Sequence, residues 1–474
     1  MRPSHATQQM SIPESALDRL FKFITEREAA GDPVDDYESF ENELREVFAA
    51  AEGEVLAREL ARFDLDVPVV FIDGKAYRQV LREKKTYMSA AGPVAVERSL
   101  YRSRNDEKAL CPMELRAGVV EKFWTPRAAK LGLWTIAHMT PKEAEELFAR
   151  LGAMAPSQSS LDRLPKQLGQ KWEDNRIQFE RALRTAETVP AGAVLMTVSL
   201  DGVKLPMKDG ERAEKRSRQE AEGKQTKGPA GYREAACGTV SFYDRQCNRL
   251  LTRRFGRMPE SKKVTLKQML TDEVLAALEQ RPDLRLVKVA DGAPDNWTYL
   301  LDALPKGPAV LDFYHATEHL NAALVAAYGE TNPKRRSQYD KLRAVLLEDP
   351  RGAEKVIRSL VHLRDSFPRR KKIARELGFF RRNRHKMYYA NFRDLNLPIG
   401  SGVTEAACKT LVTQRMKRSG MGWAPDGGGQ SILTFRSHTQ SDRFDGAWSL
   451  VAATYRHEVN LPDNVIPLRA KQRS

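Results

Sequence analysis

Two stretches, AVLMTVSLDGV (residues 193–203) and RLVKVADGAPDNW (residues 285–297), place an Asp-Gly pair directly after a short apolar run. Each run is typical of a buried strand, so Asp201 and Asp291 are predicted to stand at strand ends. A third acid, Glu405, follows a Gly-Ser-Gly turn at the start of a predicted helix. Two strand-end aspartates and one helix-borne glutamate are a suitable ligand set for two divalent cations about 3.5–4 Å apart.

Composition limits the function classes. The chain has 474 residues and a formal net charge of +15, with 78 Lys and Arg against 63 Asp and Glu. This charge favours a nucleic-acid partner, although other basic soluble proteins share it. The four cysteines form no CxxC pair, which argues against a structural zinc site or a disulfide framework. No apolar stretch approaches about 20 residues and the N-terminus lacks an apolar signal core, so we expect a cytoplasmic protein. With a DNA partner, that protein would be nucleoid-associated.

From about residue 190 the predicted elements are three strands followed by alternating helices and strands. AVLMTVSL, EAACGTVSFYD and RLLTRRFGR form an antiparallel meander, and RLVKVA and AVLDF are the fourth and fifth strands. This is the order of a ribonuclease H-like domain, an α/β core with a mixed five-stranded sheet. The first and fourth strands are neighbours in that topology, so Asp201 and Asp291 are expected to converge. The charged, glycine-containing segment 204–231 is predicted to be a mobile loop near the site.

The predicted organisation has five parts. The core is preceded by helical, small β and helix-turn-helix segments and is interrupted by an all-helical insertion. The parts are residues 1–63 (helical), 64–185 (small β element plus helix-turn-helix DNA-binding region), 186–327 (first part of the core), 328–396 (helical insertion) and 397–474 (final catalytic helix and C-terminal helices).

The segment TPKEAEELFARLGAMAPSQSSLDRL (residues 140–164) has the spacing of two helices joined by a turn. A Thr-Pro pair is typical of a helix start and Gly152 of a helix end, and a second helix is predicted from about Ser157. A Ser-rich helix start in a basic chain favours a helix-turn-helix that contacts DNA through Ser157, Ser159 and Ser160. An ordinary helical hairpin explains the pattern equally well.

A second candidate DNA-binding element, this one strongly basic, lies in the helical insertion. The run Arg369 to Lys386 has nine Lys or Arg against one acid and is interleaved with Phe379, Phe380 and His385. A solvated helix face normally alternates charges, so cations for phosphates together with aromatics for bases favour DNA binding. The basic candidates for DNA contact are Arg369, Arg370, Lys371, Lys372, Arg381, Arg382 and Arg384, and, following Glu405, Lys409, Arg415, Lys417 and Arg418.

Six motifs occur in a characteristic order: REAACGTVSFYD, ADGAPDNW, DFYHATEHL, FRRNRHKMYYA, LPIGSGVTEAACKTLVTQRMKRSGM and AATYRHEV. Together they resemble the DDE-type transposases of bacterial insertion sequences, of the Mutator-like kind and in particular the Kra-type family. The resemblance covers most of the chain and is strongest from about residue 190 to residue 456.

The resemblance implies that Asp201, Asp291 and Glu405 form a catalytic triad that binds two Mg²⁺ or Mn²⁺ ions. It also implies that Asp312 and His315 match the Cys/Asp-x-x-His signature of Mutator-like enzymes. Asp312 ends the predicted fifth strand and is therefore an alternative second ligand, although the Asp-Gly after the fourth strand favours Asp291. The implied activity is cleavage of double-stranded DNA at transposon ends and transfer of the 3′-hydroxyl into target DNA, by a homo-oligomer that holds two ends.

Other interpretations stay open. A serine or tyrosine recombinase would need a different set of residues, whereas a catalytically inactive or domesticated DNA-binding regulator derived from a transposase would keep the same motifs. His315 and His319 lie four apart on one helix, a spacing compatible with zinc. We expect packing or a hydrogen bond instead, since no acidic partner is apparent in the sequence and Glu318 is predicted to face elsewhere. Trp297 is predicted to be a buried anchor.

Overall fold

The computed structural model describes residues 15–104, 108–152, 154–209, 212–223, 231–367, 370–425 and 428–462. The chain divides into two compact units, one made of Met1–Gln167 with Trp448–Ser474 and the other of Leu168–Ala447. Within the described ranges, no helix combines the length and apolar character needed to cross a membrane.

The elements are numbered along the chain. The strands are β1 Val69–Ile72, β2 Lys75–Ser89, β3 Gly92–Arg102, β4 Leu195–Met207, β5 Gly231–Tyr243, β6 Arg249–Arg257, β7 Arg285–Ala290, β8 Ala309–Leu311 and β9 Val459–Asn460. The helices are α1 Ala16–Ala30, α2 Tyr37–Ala61, α3 Pro112–Ala117, α4 Pro126–His138, α5 Pro141–Leu151, α6 Gln158–Asp174, α7 Arg176–Ala186, α8 Ala213–Ala221, α9 Val264–Gln280, α10 Pro294–Asp302, α11 Phe313–Tyr328, α12 Pro333–Glu348, α13 Gly352–Ser366, α14 Lys371–Asn383, α15 Tyr389–Asp394, α16 Gly402–Ala407, α17 Gln414–Met416, α18 Gly428–Thr439 and α19 Phe444–Ala453.

The first unit contains a four-stranded antiparallel sheet in the order β3-β2-β1-β9. Alternate residues of β3 are buried, as expected when one face of a sheet packs and the other meets solvent. Strand β9 was not predicted, because only helices were expected after residue 397. Its two residues pair with Phe71 and Ile72 of β1, so this strand depends on a partner almost 390 residues earlier in the chain (459 − 72 = 387).

The helix pair predicted at residues 140–164 is present. Thr140 Oγ1 accepts a hydrogen bond from the Glu143 N–H, and the Glu143 carboxylate accepts one from the Thr140 N–H, which closes a capping box at the start of α5. Gly152 ends the helix in the left-handed region, at φ 61°. Helix α6 then begins at Gln158. These helix ends follow from local hydrogen bonding, which is why the sequence predicts them well.

The second unit is built on a five-stranded sheet in the order β6-β5-β4-β7-β8. Strands β4, β5 and β6 pair antiparallel, whereas β7 pairs parallel with β4 and with β8. The predicted mixed sheet of five strands is therefore confirmed. It brings β4, which contains Asp201, side by side with β7, which ends directly before Asp291.

Two predictions around β4 are wrong. Asp201 does not end its strand, since β4 continues to Met207 because β5 offers backbone partners along its whole length, with Cys237 opposite Asp201. The segment 204–231 is also not one long loop. Its first residues belong to β4, and α8 occupies Ala213–Ala221.

Between Tyr328 and Asn396 the described residues form α12, α13, α14 and α15, with a 3-10 turn at Arg384–Lys386. Helix α14 is strongly amphipathic. It buries Ile373, Leu377 and Phe380 in the same apolar cluster that contains the interior residues of the sheet. The helices of this insertion therefore share the core of the second unit.

Candidate active site

The register of the parallel strands sets the level of the two aspartates. Pairing between β4 and β7 ends at Val198 opposite Lys288. Asp201 and Asp291 each lie three residues beyond that last pair (201 − 198 = 3; 291 − 288 = 3). Both aspartates are half-buried. Adjacent parallel strands thus carry the two carboxylates to one edge of the sheet.

Each glycine after an aspartate stands where another chain segment approaches closely. A Cβ on Gly202 would lie 2.3 Å from Oε1 of Glu234, and a Cβ on Gly292 would lie 2.3 Å from the ring of Phe379. Neither glycine has a positive φ. The Asp-Gly pairs therefore reflect crowding around the site and not turn formation.

Asp291 is held by the start of α10. Its Oδ1 accepts hydrogen bonds from the Ala293 N–H (3.1 Å) and from Nδ2 of Asn296 (3.3 Å), and its carbonyl accepts one from Nε1 of Trp297 (2.5 Å). Asn296 is 2% exposed and also donates to the carbonyl of Leu200 at 3.4 Å. Asn296 therefore links Asp291 to the residue before Asp201. Trp297 is buried, as predicted.

Glu405 lies in the first turn of α16, as predicted, and is exposed. The next turn is a π-helix over Cys408–Thr413, a rare local geometry that is frequent at functional sites. Cys408 Sγ lies 3.8 Å from Oδ2 of Asp201, so the helix that carries Glu405 packs beside Asp201.

Asp312 is fully buried and caps α11. Its Oδ1 accepts from the His315 N–H (2.9 Å), while Oδ2 accepts from both the N–H and the hydroxyl of Ser401, the latter at 2.6 Å. The Phe313 N–H donates to the carbonyl of Ile399 at 2.9 Å. Asp312 thus ties the start of α11 to the Gly-Ser-Gly turn before Glu405. These bonds favour an anchoring role for Asp312 over metal ligation.

The carboxylates repel one another. Burial raises the pKa of Asp201, and the charge of Asp291 adds to this rise. Burial also raises the pKa of Glu405, followed by the charges of Asp312 and Asp201. A divalent cation would relieve this repulsion, and carboxylate oxygens are the ligands that Mg²⁺ and Mn²⁺ prefer. The donor chemistry therefore fits such a cation, although no three His, Cys, Asp or Glu side chains in the described ranges are grouped closely enough to hold one.

Two polar residues beside the aspartates were not predicted. Asn296 is one, and Lys263 is the other. Nζ of Lys263 lies 2.9 Å from Oε1 of Glu234 and 3.3 Å from Oδ1 of Asn296, and its charge opposes the rise in the pKa of Asp201. Lys263 has a positive φ of 55° directly before α9, which the sequence does not signal. The sequence could have indicated Asn296, because an amide side chain five residues after Asp291, in the first turn of the following helix, can reach back to that carboxylate.

The raised pKa values predict how a cation changes stability with pH. A carboxyl whose pKa is higher in the folded state binds its proton more tightly there, so stability falls as pH rises through that pKa. A cation binds only the ionised form and should offset the loss above this window. We expect Mg²⁺ to raise the unfolding midpoint by about 3 °C at about pH 8 and by almost nothing at about pH 4, measured by differential scanning fluorimetry. Asp201→Asn should abolish this shift, whereas the exposed control Asp295→Asn should keep it; equal shifts in both variants would contradict the prediction.

A carboxylate, that of Glu145, lies next to the serines that are predicted to bind DNA. Ser157 and Ser159 are exposed at the start of α6, and Oγ of Ser157 lies 3.0 Å from Oγ of Ser160 and accepts from its N–H. The Gln158 N–H donates to Oε1 of Glu145 at 2.9 Å. A carboxylate therefore already occupies this helix start, which disfavours phosphate there. DNA recognition by α5 and α6 stays a prediction.

The basic candidates differ in exposure. Arg415 is 3% exposed, so its side chain is not available at the surface, contrary to prediction. Phe379 and Phe380 are buried and cannot stack on bases, and the buried Lys386 lies over the ring of Trp297 at 4.4 Å. Arg369 lies outside the described residues. The exposed candidates are Arg370, Lys371, Lys372, Arg381, Arg382, Arg384, Lys409, Lys417 and Arg418.

The exposed face of α14 gives a prediction about salt dependence. If Lys371 and Lys372 contact phosphates, each lost contact should reduce the slope of log K against log salt by about 0.9 on duplex DNA. The double alanine variant should therefore flatten the slope by up to about 1.8, measured by fluorescence anisotropy over a salt series. Preference for one sequence over another should barely change. A control double variant, Arg19→Ala with Lys22→Ala on α1, should keep the slope; an unchanged slope in the α14 variant would place those lysines off the DNA.

Comparison with known proteins adds little. No family model matches the chain, and no curated protein matches it. Among solved structures, the Drosophila P element transposase strand transfer complex is similar, with 13% sequence identity and a TM-score of 0.26 over 70% of this chain and 81% of that chain. A likeness this weak supports no conclusion about function.

Proposed function

We propose that this protein is the transposase of an insertion sequence, with a ribonuclease H-like core that cleaves DNA at transposon ends and transfers the 3′-hydroxyl to target DNA. One observation carries the proposal. Asp201 and Asp291 stand at the same level beyond the last parallel pair of two adjacent strands, and the helix of Glu405 packs beside Asp201. The sequence motifs quoted above support the narrower assignment to a Mutator-like, Kra-type element.

Each residue of the site has a role in this proposal. Asp201, Asp291 and Glu405 would hold two Mg²⁺ or Mn²⁺ ions, which when bound activate the attacking hydroxyl and stabilise the leaving oxygen. Asn296 orients Asp291 by donating from Nδ2 to its Oδ1, while the bond from Asn296 to the carbonyl of Leu200 ties it to the strand of Asp201. Asp312 fixes the turn from which Glu405 projects. The chemistry needs no covalent protein–DNA intermediate.

The substrate in this proposal is double-stranded DNA. Exposed Lys and Arg on α14 and after Glu405 can contact phosphates, which position a duplex without reading its sequence. Two transposon ends must be held together during transfer, so we propose a homo-oligomer on DNA.

The direct test uses the full-length protein and duplex DNA taken from the flanks of its gene. Strand-specific nicks that need Mg²⁺ or Mn²⁺ and leave a free 3′-hydroxyl would support the proposal. DNA binding without cleavage in either metal would favour the inactive regulator instead. A covalent protein–DNA adduct would favour a serine or tyrosine recombinase.

A further inference from the structure

The backbone is strained at the turn between β6 and α9. Lys262 and Lys263 stand side by side with φ of 52° and 55°, in the left-handed region that residues other than glycine rarely adopt. Glycine at either position would remove this strain. A lysine directly before α9 is also unfavourable for the dipole of that helix, whose positive end lies there. Local structure therefore disfavours both lysines, and strain of this kind is frequent at functional sites.

The side chains of the two lysines lie in different environments. Lys262 is exposed, whereas the side chain of Lys263 is only 16% exposed. Nζ of Lys263 lies 2.9 Å from Oε1 of Glu234 on β5 and 3.3 Å from Oδ1 of Asn296 on α10. Its charge also acts on Asp201. Lys263 therefore reaches the candidate metal site, although it lies outside the six motifs that carry the resemblance.

Two partners fix the orientation of the Asn296 amide, which is 2% exposed. A lysine ammonium can only donate, so the amide atom 3.3 Å from Nζ of Lys263 is Oδ1. The carbonyl of Leu200 can only accept, so the amide atom 3.4 Å from it is Nδ2. Both partners require the same orientation, which turns Nδ2 towards Oδ1 of Asp291 at 3.3 Å.

This orientation decides which oxygen of Asp291 is left for a cation. Oδ1 accepts from Nδ2 of Asn296 and from the Ala293 N–H, at 3.3 and 3.1 Å. Within the described ranges, no hydrogen bond engages Oδ2. A reversed amide would place an oxygen against the carboxylate and repel it. By holding the amide, Lys263 therefore keeps Asp291 turned with Oδ2 free.

The other polar cluster near Glu405 shows no such strain. Nδ1 of His319 lies 2.5 Å from Oε2 of Glu376 on α14, and Nδ1 of His315 lies 3.5 Å from Oε2 of Glu318. The predictions that no acidic partner is near these histidines and that Glu318 faces elsewhere are therefore wrong, because Glu376 comes from a helix far along the chain (376 − 319 = 57). None of these four residues has a positive φ. As predicted, the histidines make a hydrogen bond, and it joins α11 to α14.

We propose that Lys263 is a positioning residue for the metal site of the proposed function, on which this inference rests. Through Asn296 it holds Asp291 with Oδ2 presented to the cation. The left-handed backbone at Lys263 is the conformation that brings Nζ to the amide, and it is kept at a cost in stability.

A positioning role and a simple effect of charge predict opposite results. Removing a nearby positive charge lessens the repulsion of a divalent cation, so charge alone would make Mn²⁺ bind more tightly to a variant without Lys263. Loss of the oriented carboxylate makes Mn²⁺ bind more weakly, by about 10–100-fold when a residue that orients a ligand is removed. The contacts of the Asn296 amide are long for hydrogen bonds, at 3.3–3.4 Å, so we expect the lower end of that range.

The first experiment measures Mn²⁺ binding to the full-length protein without DNA, by electron paramagnetic resonance of the unbound ion. Lys263→Met should raise the dissociation constant by about tenfold. The matched control is Lys267→Met, since Lys267 has the same 16% side-chain exposure and pairs with Asp295 at 2.8 Å. It should bind Mn²⁺ as the unmodified protein does. Unchanged or tighter binding by Lys263→Met would overturn the positioning role.

The second experiment separates the backbone from the side chain. Lys262→Gly and Lys263→Gly both remove a left-handed lysine, so neither should lower the midpoint of urea unfolding. Only Lys263→Gly should weaken Mn²⁺ binding, again by about tenfold. A lower urea midpoint in Lys263→Gly would show that the lysine is kept for stability, and equal Mn²⁺ affinity in the two variants would show that its side chain does not serve the metal site; either result overturns the inference.

The third experiment tests the route through Asn296. Because Lys263 acts through that amide, the double variant Lys263→Met with Asn296→Ala should bind Mn²⁺ no more weakly than Asn296→Ala alone. Losses that multiply would contradict this route.

The results distinguish this inference from the proposed function. Mn²⁺ binding and metal-dependent DNA cleavage that persist unchanged in Lys263→Met would overturn only the role of Lys263. Absence of Mn²⁺ binding by the unmodified protein, with and without DNA, would overturn both.

Discussion

Replacing Asp201, Asp291 or Glu405 with its amide is expected to lower the rate of DNA-end cleavage by about 10³-fold or more. Each amide keeps the size of the side chain but removes the charge that would bind the cations, and this charge stabilisation amounts to several kcal/mol. The three residues are half-buried or exposed, so folding should persist. DNA binding should persist too, because the basic surfaces are unchanged. Single-turnover cleavage in Mg²⁺, with a gel shift in parallel, measures both properties.

The matched control is Asp295→Asn. Asp295 lies four residues after Asp291, on the surface of α10, where it pairs with Lys267 at 2.8 Å. The same chemical change there should leave cleavage within about twofold, because an exposed pair contributes little. Near-normal cleavage by one of the three amide variants would remove that residue from the triad, and for Asp291 the residue to test next would be Asp312.

The second large effect is expected at Asp312. Asp312→Ala removes the acceptor for the His315 N–H and for the N–H and hydroxyl of Ser401, in a site with no solvent exposure. Buried donors left without a partner cost about 1–3 kcal/mol each, so we expect a loss of about 3 kcal/mol in urea unfolding. Cleavage at a temperature where the variant is folded should fall by at least about 100-fold, because the turn that carries Glu405 loses its anchor.

Asn332→Ala provides the comparison, since Asn332 also caps a helix but is exposed. It should cost about 1 kcal/mol and leave cleavage unchanged. A stable Asp312→Ala protein that has lost only its response to Mg²⁺ would contradict the anchoring role and would make Asp312 a metal ligand.

Much of the core could be predicted from local patterns. The apolar runs before Asp201 and Asp291 mark β4 and β7, and the succession of strands and helices gives a mixed sheet that the structure shows. The helix start at Thr140 was predicted equally well, because a capping box is made by residues three apart. The prediction that Asp201 ends its strand was nevertheless wrong, since the sequence does not show how many residues of β4 pair with β5.

The basic run around α14 shows that residue composition does not predict which side chains of a helix are exposed. Its count of Lys and Arg predicts a DNA-binding face, but Phe379 and Phe380 lie on the side of α14 that packs on the core, and Lys386 is buried in the 3-10 turn that follows the helix. Which side of a helix is buried depends on the elements that cover it. Composition alone therefore assigned base stacking to rings that form part of the core.

The sequence by itself determined the net charge and the features that depend on residues close together in the chain. These are the helix caps, the apolar runs that form strands, and the positions of the three acids after those runs and after the Gly-Ser-Gly turn. Only the tertiary structure decided which side chains meet across long separations. It placed Asn296 between the two aspartate strands, Asp312 on the turn before Glu405 and Glu376 on His319. The physical reason is that a hydrogen bond depends on distances of about 3 Å and on direction, and these are fixed by packing between elements that the chain does not place next to one another.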